Sequence, residues 1–471
     1  MTESRAPLSL DGTPAASPLG YCSWMLGQAA REPLYILVVI YVFFPYFSNV
    51  VVGDPVKGQT LVGALNASAG LFMALTVPFM GAIADKIGRR KPWIVVSYFV
   101  MGAAGIGLWW ILPAGAGLSV NQGSVLILVF LIAFGYAEVF HNAMLSSVAP
   151  ADKAGMISGF GFALANLCAI MILLFVLIAF ALPGVMNLGF VPSEPLFGID
   201  RSTHAHDRIV GPLGGGWLFL AMLPLLLFTP DGKASKRSLS ADVREGLRDV
   251  LATIRQLKHY SNTAIFLLAR MFFNDGMMGV VIFSGVYASG TFGWDTTSML
   301  ILGLCTTVSA MIGVFLGGFL DDRLGSLVTL KFAVGMMSLL LLILVSIQPD
   351  TVLFTIGVST EPVWAAPFFR TTAEITYFLT FQLFAAFALI GLSTSRTLMA
   401  RISPPERTTQ FFGLYSLSGT VTAFLAPLMV ATITGWFQSQ RLGFASLLIL
   451  IVIGGAILLK VKEERATLAP G

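Results

Sequence analysis

Gly81-Ala82-Ile83-Ala84-Asp85-Lys86-Ile87-Gly88-Arg89-Arg90 closes a long apolar run with one carboxylate and a cluster of basic residues. The same spacing returns in weaker form as Gly318…Asp322-Arg323-Leu324-Gly325. A second echo pairs Met144-Leu145-Ser146-Ser147-Val148-Ala149-Pro150 with Leu398-Met399-Ala400-Arg401-Ile402-Ser403-Pro404, and its continuation sets Gly159 on Gly413. The longer outer loop at 348–371 absorbs the difference in offset between the two echoes. The chain therefore reads as a duplication, with a charged stretch at the inner edge of matching apolar segments.

Outward from those stretches, apolar segments long enough to cross a bilayer, about 20 residues each, lie near 24–52, 61–84, 93–112, 124–147, 157–183 and 212–229. After a polar linker come 263–289, 297–320, 327–347, 372–400, 411–435 and 442–460. Composition agrees. Of 471 residues, 56% are hydrophobic and 11% charged, against about 25% charged in soluble chains. Mean hydropathy is +0.84. A disordered chain, a disulfide scaffold and an ordinary soluble enzyme are excluded. Cys22, Cys168 and Cys305 match no metal or redox spacing and read as packing residues.

Orientation follows from Lys and Arg, which favour the cytoplasmic side. Setting aside Arg31, Arg270 and Arg396 within spans, only Lys57, Arg201, Arg208, Arg370 and Arg441 face outward if both termini are inside. The expected organisation is a polar tail (1–20), a six-helix half (21–229), a linker (230–262), a second six-helix half (263–461) and a short tail (462–471). Within the linker, Leu239, Val243, Leu247, Val250, Ile254 and Leu257 recur at helical spacing, which predicts an amphipathic helix on the inner membrane surface. Two repeated halves joined by a basic linker is a transporter architecture.

The stretch at Gly81–Arg90 resembles the signature loop of the major facilitator superfamily, G-x-x-x-D-[RK]-x-G-[RK]-[RK], at every position. Phe44-Pro45-Tyr46-Phe47, Phe140-His141-Asn142-Ala143, Ser158-Gly159-Phe160-Gly161-Phe162-Ala163, Phe273-Asn274-Asp275-Gly276 and Phe411–Gly419 are similar to the vacuolar amino-acid effluxer branch and its bacterial relatives. The resemblance implies an all-α membrane fold of twelve transmembrane helices in two pseudo-symmetric halves. It also implies gating roles for Asp85, Arg89, Arg90, Asp322 and Arg323. One departure is Leu26-Gly27-Gln28-Ala29-Ala30-Arg31-Glu32, where relatives more often carry an acidic residue near Gly27.

A charge at the bilayer centre costs at least about 2.5–3.5 kcal/mol, so each one marks a candidate site. Glu138 lies about 21 Å from the outer end of the fourth span at 1.5 Å per residue, and Asp275 lies at a comparable depth in the seventh. These two, with His141 beside Glu138, are the candidate proton carriers. Asn142 shares a helix face with Glu138 and His141. Arg270 and Asn274 cluster with Asp275, and an internal Arg270–Asp275 salt bridge is the bland alternative. Gln382, Ala386, Leu389, Ser393 and Arg396 line one face of the tenth span; Arg31, Tyr35, Val42, Tyr46 and Asn49 line one face of the first. Both stripes read as cavity walls, with snorkelling to the headgroups an alternative for Arg31 and Glu32. Gly155, Gly159, Gly161, Gly413 and Gly419 read as hinges and close helix contacts. His204-Ala205-His206-Asp207 reads as a solvated loop, since the full ligand set of a metal site is missing.

The expected function is proton-coupled secondary transport of a small polar solute, an amino acid or similar zwitterion or organic anion, by alternating access between the halves. The partners are that solute, the lipid bilayer and a coupling H⁺. A monomer in a bacterial inner membrane is expected, with no cofactor, no metal and no nucleic acid. A lipid or lysolipid mover on the same fold, a non-transporting receptor or scaffold, and a membrane enzyme are the rivals.

Overall fold

The computed structural model describes residues 7–9, 11–87, 89–232, 260–403 and 408–463. Among them, 12 helices are long and apolar enough to cross a membrane. They are α1 (Pro18–Val51), α2 (Pro55–Val77, continuing as helix to Ile87), α3 (Lys91–Trp110), α4 (Val120–Val148), α5 (Ala154–Ala181) and α6 (Ala205–Phe228). The second set is α7 (Ser261–Phe292), α8 (Thr296–Leu324), α9 (Ser326–Ser346), α10 (Thr372–Ile402), α11 (Phe411–Phe437) and α12 (Gln440–Leu458). The loop before α10 carries a short antiparallel pair, Thr351–Val352 with Ile356–Gly357. The amphipathic helix expected over Leu239–Leu257 lies outside the described residues.

Local sequence explains the helix starts. Ser17 accepts from Gly20 N at 3.3 Å before α1. Ser119 with Gln122 and Thr371 with Glu374 form capping boxes before α4 and α10. Pro33 and Pro45 each remove a helical donor from α1, and the chain responds with wide π-helical turns at Ile36–Tyr41 and Phe47–Val51. Those turns break the 3.6-residue period, so the stripe read from Arg31 to Asn49 is not one continuous face. The sixth span starts several residues earlier than the hydropathy suggests, because Ala205–Arg208 is already helical.

The chain divides into two compact units, Met1–Phe43 with Leu75–Asp249 and Phe44–Ala74 with Val250–Gly471. The division runs through α1 and α2, so Phe44–Ala74 packs with the second set of helices.

In the first unit the N-terminal segment is tied down. Asp11 N donates to Ser146 O, Ala16 N to Val148 O and Ala151 N to Leu8 O at 3.0–3.1 Å, straddling the α4–α5 turn. Burial opposes the Asp11 charge, but hydrogen bonds from Ser9 and Thr13 and the nearby Arg90 charge hold its carboxyl below the usual range.

In the second unit the first turns of α2 are locked to α11 and α12. Gln59 is 0% exposed, and its Nε2 donates to Thr434 Oγ1 at 2.8 Å and to Gln440 O at 3.0 Å. Gln440 Nε2 donates back to Pro55 O at 2.9 Å. Glycine makes the approach possible: a Cβ at Gly63 would lie 2.9 Å from Ala431 Cβ, and one at Gly70 would lie 2.9 Å from the Phe424 backbone. On α1, Asn49 Nδ2 donates to Ser289 Oγ of α7 at 2.6 Å.

Gln59→Ala removes two buried hydrogen bonds, each worth about 1 kcal/mol net. Amide hydrogen exchange at the Thr434 end of α11 is expected to speed up about 30-fold while α4 is unchanged. Equal protection in both proteins would show that the Gln59 contacts do not hold this end closed.

Candidate functional site

The first unit holds a charged cluster on α1 and α4. Arg31 is 1% exposed, and its Nη2 meets Glu32 Oε1 at 2.6 Å. Its guanidinium sits 5.3 Å over the Phe134 ring, against which Tyr35 stacks at 4.0 Å. Glu138, one turn beyond Phe134, acts electrostatically on both Arg31 and Tyr35. The snorkelling alternative for Arg31 is corrected: it is buried in an ion pair, with Nη1 lacking a hydrogen-bond partner. A fork-shaped donor with an unused N–H is suited to a carboxylate.

Glu138 and Asn142 are both exposed, as expected for positions one helical turn apart. His141 is not with them. It is 0% exposed, stacks on Trp24 at 4.6 Å, and exchanges hydrogen bonds with it. Trp24 Nε1 reaches His141 O at 2.9 Å, and His141 Nε2 reaches Trp24 O at 2.9 Å. A carbonyl only accepts, so Nε2 carries the proton. His141 pins α1 to α4, which corrects its reading as a proton partner of Glu138. The pin also accounts for Gly27, where a Cβ would lie 2.9 Å from His141 Nε2.

The second unit holds the counterpart on α7 and α11. Arg270 Nη1 donates to Tyr415 O and to Ser418 Oγ, both at 2.7 Å, and the guanidinium lies 3.6 Å from the Tyr415 ring centroid. Ser395 of α10 bonds the Tyr415 hydroxyl at 2.7 Å. Asp275 is 3% exposed, and its Oδ2 has no hydrogen-bond partner. The Arg270–Asp275 salt bridge that stood as the bland alternative is absent among the described residues. Five positions turn a helix by about 140° past a full circle, so the two side chains leave different faces. Asn274, four positions on, shares the Arg270 side and is 7% exposed.

The other predicted residues divide. Gln382 accepts from Ser309 Oγ of α8 at 3.0 Å, and the α10 backbone at Ala386 lies against Gly313. The part of that stripe at Gln382 and Ala386 therefore packs on α8, a correction to its reading as cavity wall, whereas Arg396 is exposed. Tyr46 is 4% exposed and belongs to the second unit. A Cβ at Gly161 would lie 3.0 Å from Gln28 Oε1 and one at Gly419 would lie 3.1 Å from Arg270 Nη1, but Gly155, Gly159 and Gly413 face open space. The last three are not close helix contacts.

In the signature stretch, the Asp85 side chain lies outside the described residues and Arg89 is exposed. Arg90 Nη1 approaches Ser146 and Ser147 Oγ at 3.5 and 3.4 Å. The sequence reading missed Asp231, whose Oδ1 accepts from Arg90 N at 2.9 Å and Lys91 N at 3.3 Å. α3 has no capping side chain of its own, and an acceptor after α6 supplies it. The second unit repeats the device. Leu327 N at the start of α9 donates to Glu463 Oε2 at 3.2 Å, and Glu463 also pairs with Arg401 at 3.0 Å. The buried acid in the second signature copy is Asp321, 3.8 Å from Arg401. Asp322 and Arg323, the residues expected to gate, are exposed. An uncapped helix start facing a Pro- or Gly-bounded turn was the signal for both caps.

Known proteins agree with this architecture. Residues 50–469 match the family described as "Vacuole effluxer Atg22 like". The chain is 24% identical over 454 residues to an uncharacterised MFS-type transporter, YxiO, of Bacillus subtilis, covering 94% of this chain and 95% of that one. It is 25% identical over 285 residues to autophagy-related protein 22 of Cryptococcus neoformans, covering 60% of this chain and 48% of that one. Its fold is similar to a solved D-xylose-proton symporter, with a TM-score of 0.66 at 13% identity, covering 96% of this chain and 100% of that one. The chain is a multi-pass membrane transporter of the major facilitator superfamily and belongs to its Atg22-like vacuole effluxer family.

Proposed function

We propose that this transporter moves a small polar solute bearing a carboxylate, an amino acid or a similar zwitterion or organic anion, coupled to protons by alternating access. The observation that carries the reading is a buried arginine with a mid-span carboxyl in each unit: Arg31 with Glu138, and Arg270 with Asp275. Intramembrane ionisable groups are costly and mark substrate or ion pathways. Arg31 and Arg270 are the proposed carboxylate ligands, and Arg396 is a third basic group within reach of solvent. Glu138 and Asp275 are the proposed proton carriers, since Glu138 is exposed within its helix and Asp275 has an oxygen without a partner. The distribution of Lys and Arg supports cytoplasmic termini.

The test is proton flux in liposomes containing the purified protein and an internal pH dye, challenged with pooled amino acids and small peptides. A solute-dependent signal is expected, reduced at least tenfold in Glu138→Gln and in Asp275→Asn with both variants folded. Silence in folded wild-type protein across every pool would overturn the solute class; a signal unchanged in both variants would overturn their proton role.

A paired glycine test isolates Arg270. Gly419→Ala places a methyl group 3.1 Å from Arg270 Nη1, whereas Gly413→Ala enters open space. Solute-driven flux is expected to fall at least fivefold in the first and to stay at the wild-type level in the second. Equal rates in both would show that the Arg270 position does not matter to transport.

A further inference from the structure

The loop between α5 and α6 follows an odd number of spans and so lies on the face opposite the chain termini. The sequence reading makes it solvated, but the structure folds it onto the protein. Arg201 Nη1 bonds the carbonyls of Ala181 and Pro183 at the end of α5. Asp200 accepts from Ser202 N at 2.8 Å and Ser202 Oγ at 2.6 Å. His204 then takes a left-handed conformation, φ 55° and ψ 29°, which turns the chain back on itself. His206 and Asp207 become 8% and 4% exposed.

Both imidazoles converge on one carboxylate oxygen. His204 Nδ1 is 2.8 Å and His206 Nε2 is 3.6 Å from Asp207 Oδ2, and the rings stack 5.9 Å apart. The donor atoms of His204, His206 and Asp207 all lie within 4.8 Å of one another. Arg208 turns its guanidinium to Trp109 O at 2.7 Å and Thr203 O at 3.2 Å, lying 4.7 Å from the Trp109 ring.

We propose that His204 Nδ1, His206 Nε2 and the Asp207 carboxylate form a binding site for a divalent transition metal ion of the zinc type. Tetrahedral ligands at about 2.0–2.1 Å from Zn²⁺ stand about 3.3 Å apart, within the spread of distances already present. Small side-chain rotations close the set. Two imidazoles and one carboxylate leave a fourth position for water or a further ligand, as in open zinc sites. Nitrogen donors disfavour Ca²⁺ and Mg²⁺, which take oxygen. Asp200 and Arg201 hold the loop in place beforehand, so little ordering remains for binding to impose. The ion would join the loop to the first turn of α6, a role separate from the solute site.

The test uses the full chain in detergent, purified without a polyhistidine tag, with Zn²⁺ alone titrated against a chromophoric chelator. One Zn²⁺ per chain is expected, with affinity falling at least tenfold in His206→Ala and in Asp207→Asn and unchanged in Cys22→Ser. Zn²⁺ is also expected to raise the melting temperature of the wild type but not of His204→Gln, a milder change that keeps the loop intact. Binding well below one per chain, or equal affinity in the wild type and the folded His206 and Asp207 variants, would overturn the site.

Discussion

Inside hydrocarbon there is no water to satisfy a polar group, so every buried donor, acceptor and charge needs a partner within the protein. The polar contacts of this chain follow from that constraint. Gln59, Thr434 and Gln440 form a small dry network in which each amide reaches a carbonyl or hydroxyl. Trp24 and His141 exchange two hydrogen bonds across α1 and α4. Buried atoms without a hydrogen-bond partner among the described residues include Arg31 Nη1 and Asp275 Oδ2 of the candidate site, alongside others such as Gln59 Oε1 and His141 Nδ1.

The duplication in sequence has a physical counterpart at the starts of α3 and α9. α3 and α9 both start without a capping side chain of their own. Each is closed by a carboxylate that follows the last helix of its half, Asp231 for α3 and Glu463 for α9. The basic group beside each carboxylate has diverged: it precedes α3 in the first unit and lies on α10 in the second. Arg90 reaches serine hydroxyls of α4, whereas Arg401 of α10 reaches Glu463 and Asp321. The two copies keep the same electrostatic logic, an acid at a helix N-terminus, while exchanging the residues around it.

The candidate site was half legible in the sequence. Glu138, Asp275, Arg31 and Arg270 are conspicuous because charge in a spanning segment is costly. Their neighbours were harder to read, for geometric reasons. His141 lies three positions from Glu138 but faces Trp24, and Asp275 lies five from Arg270 on another side of α7. In α1 the π-helical turns put Tyr46 and Asn49 out of phase with Arg31 and Tyr35. A face drawn at 100° per residue holds only where the helix is regular.

By itself the sequence determined the class of protein: twelve spans, their duplication and the signature at Gly81–Arg90 follow from hydropathy and spacing, which are properties of the chain read in order. The tertiary structure alone decided which polar groups meet. Gln59 and Gln440 are far apart in sequence, as are Arg270 and Tyr415, and no local pattern announces either pair. Likewise His204, His206 and Asp207 are a common loop composition until a left-handed residue folds them onto one carboxylate oxygen. Burial and long-range contact are set by packing, so the partner of each charge appears only once the helices are assembled.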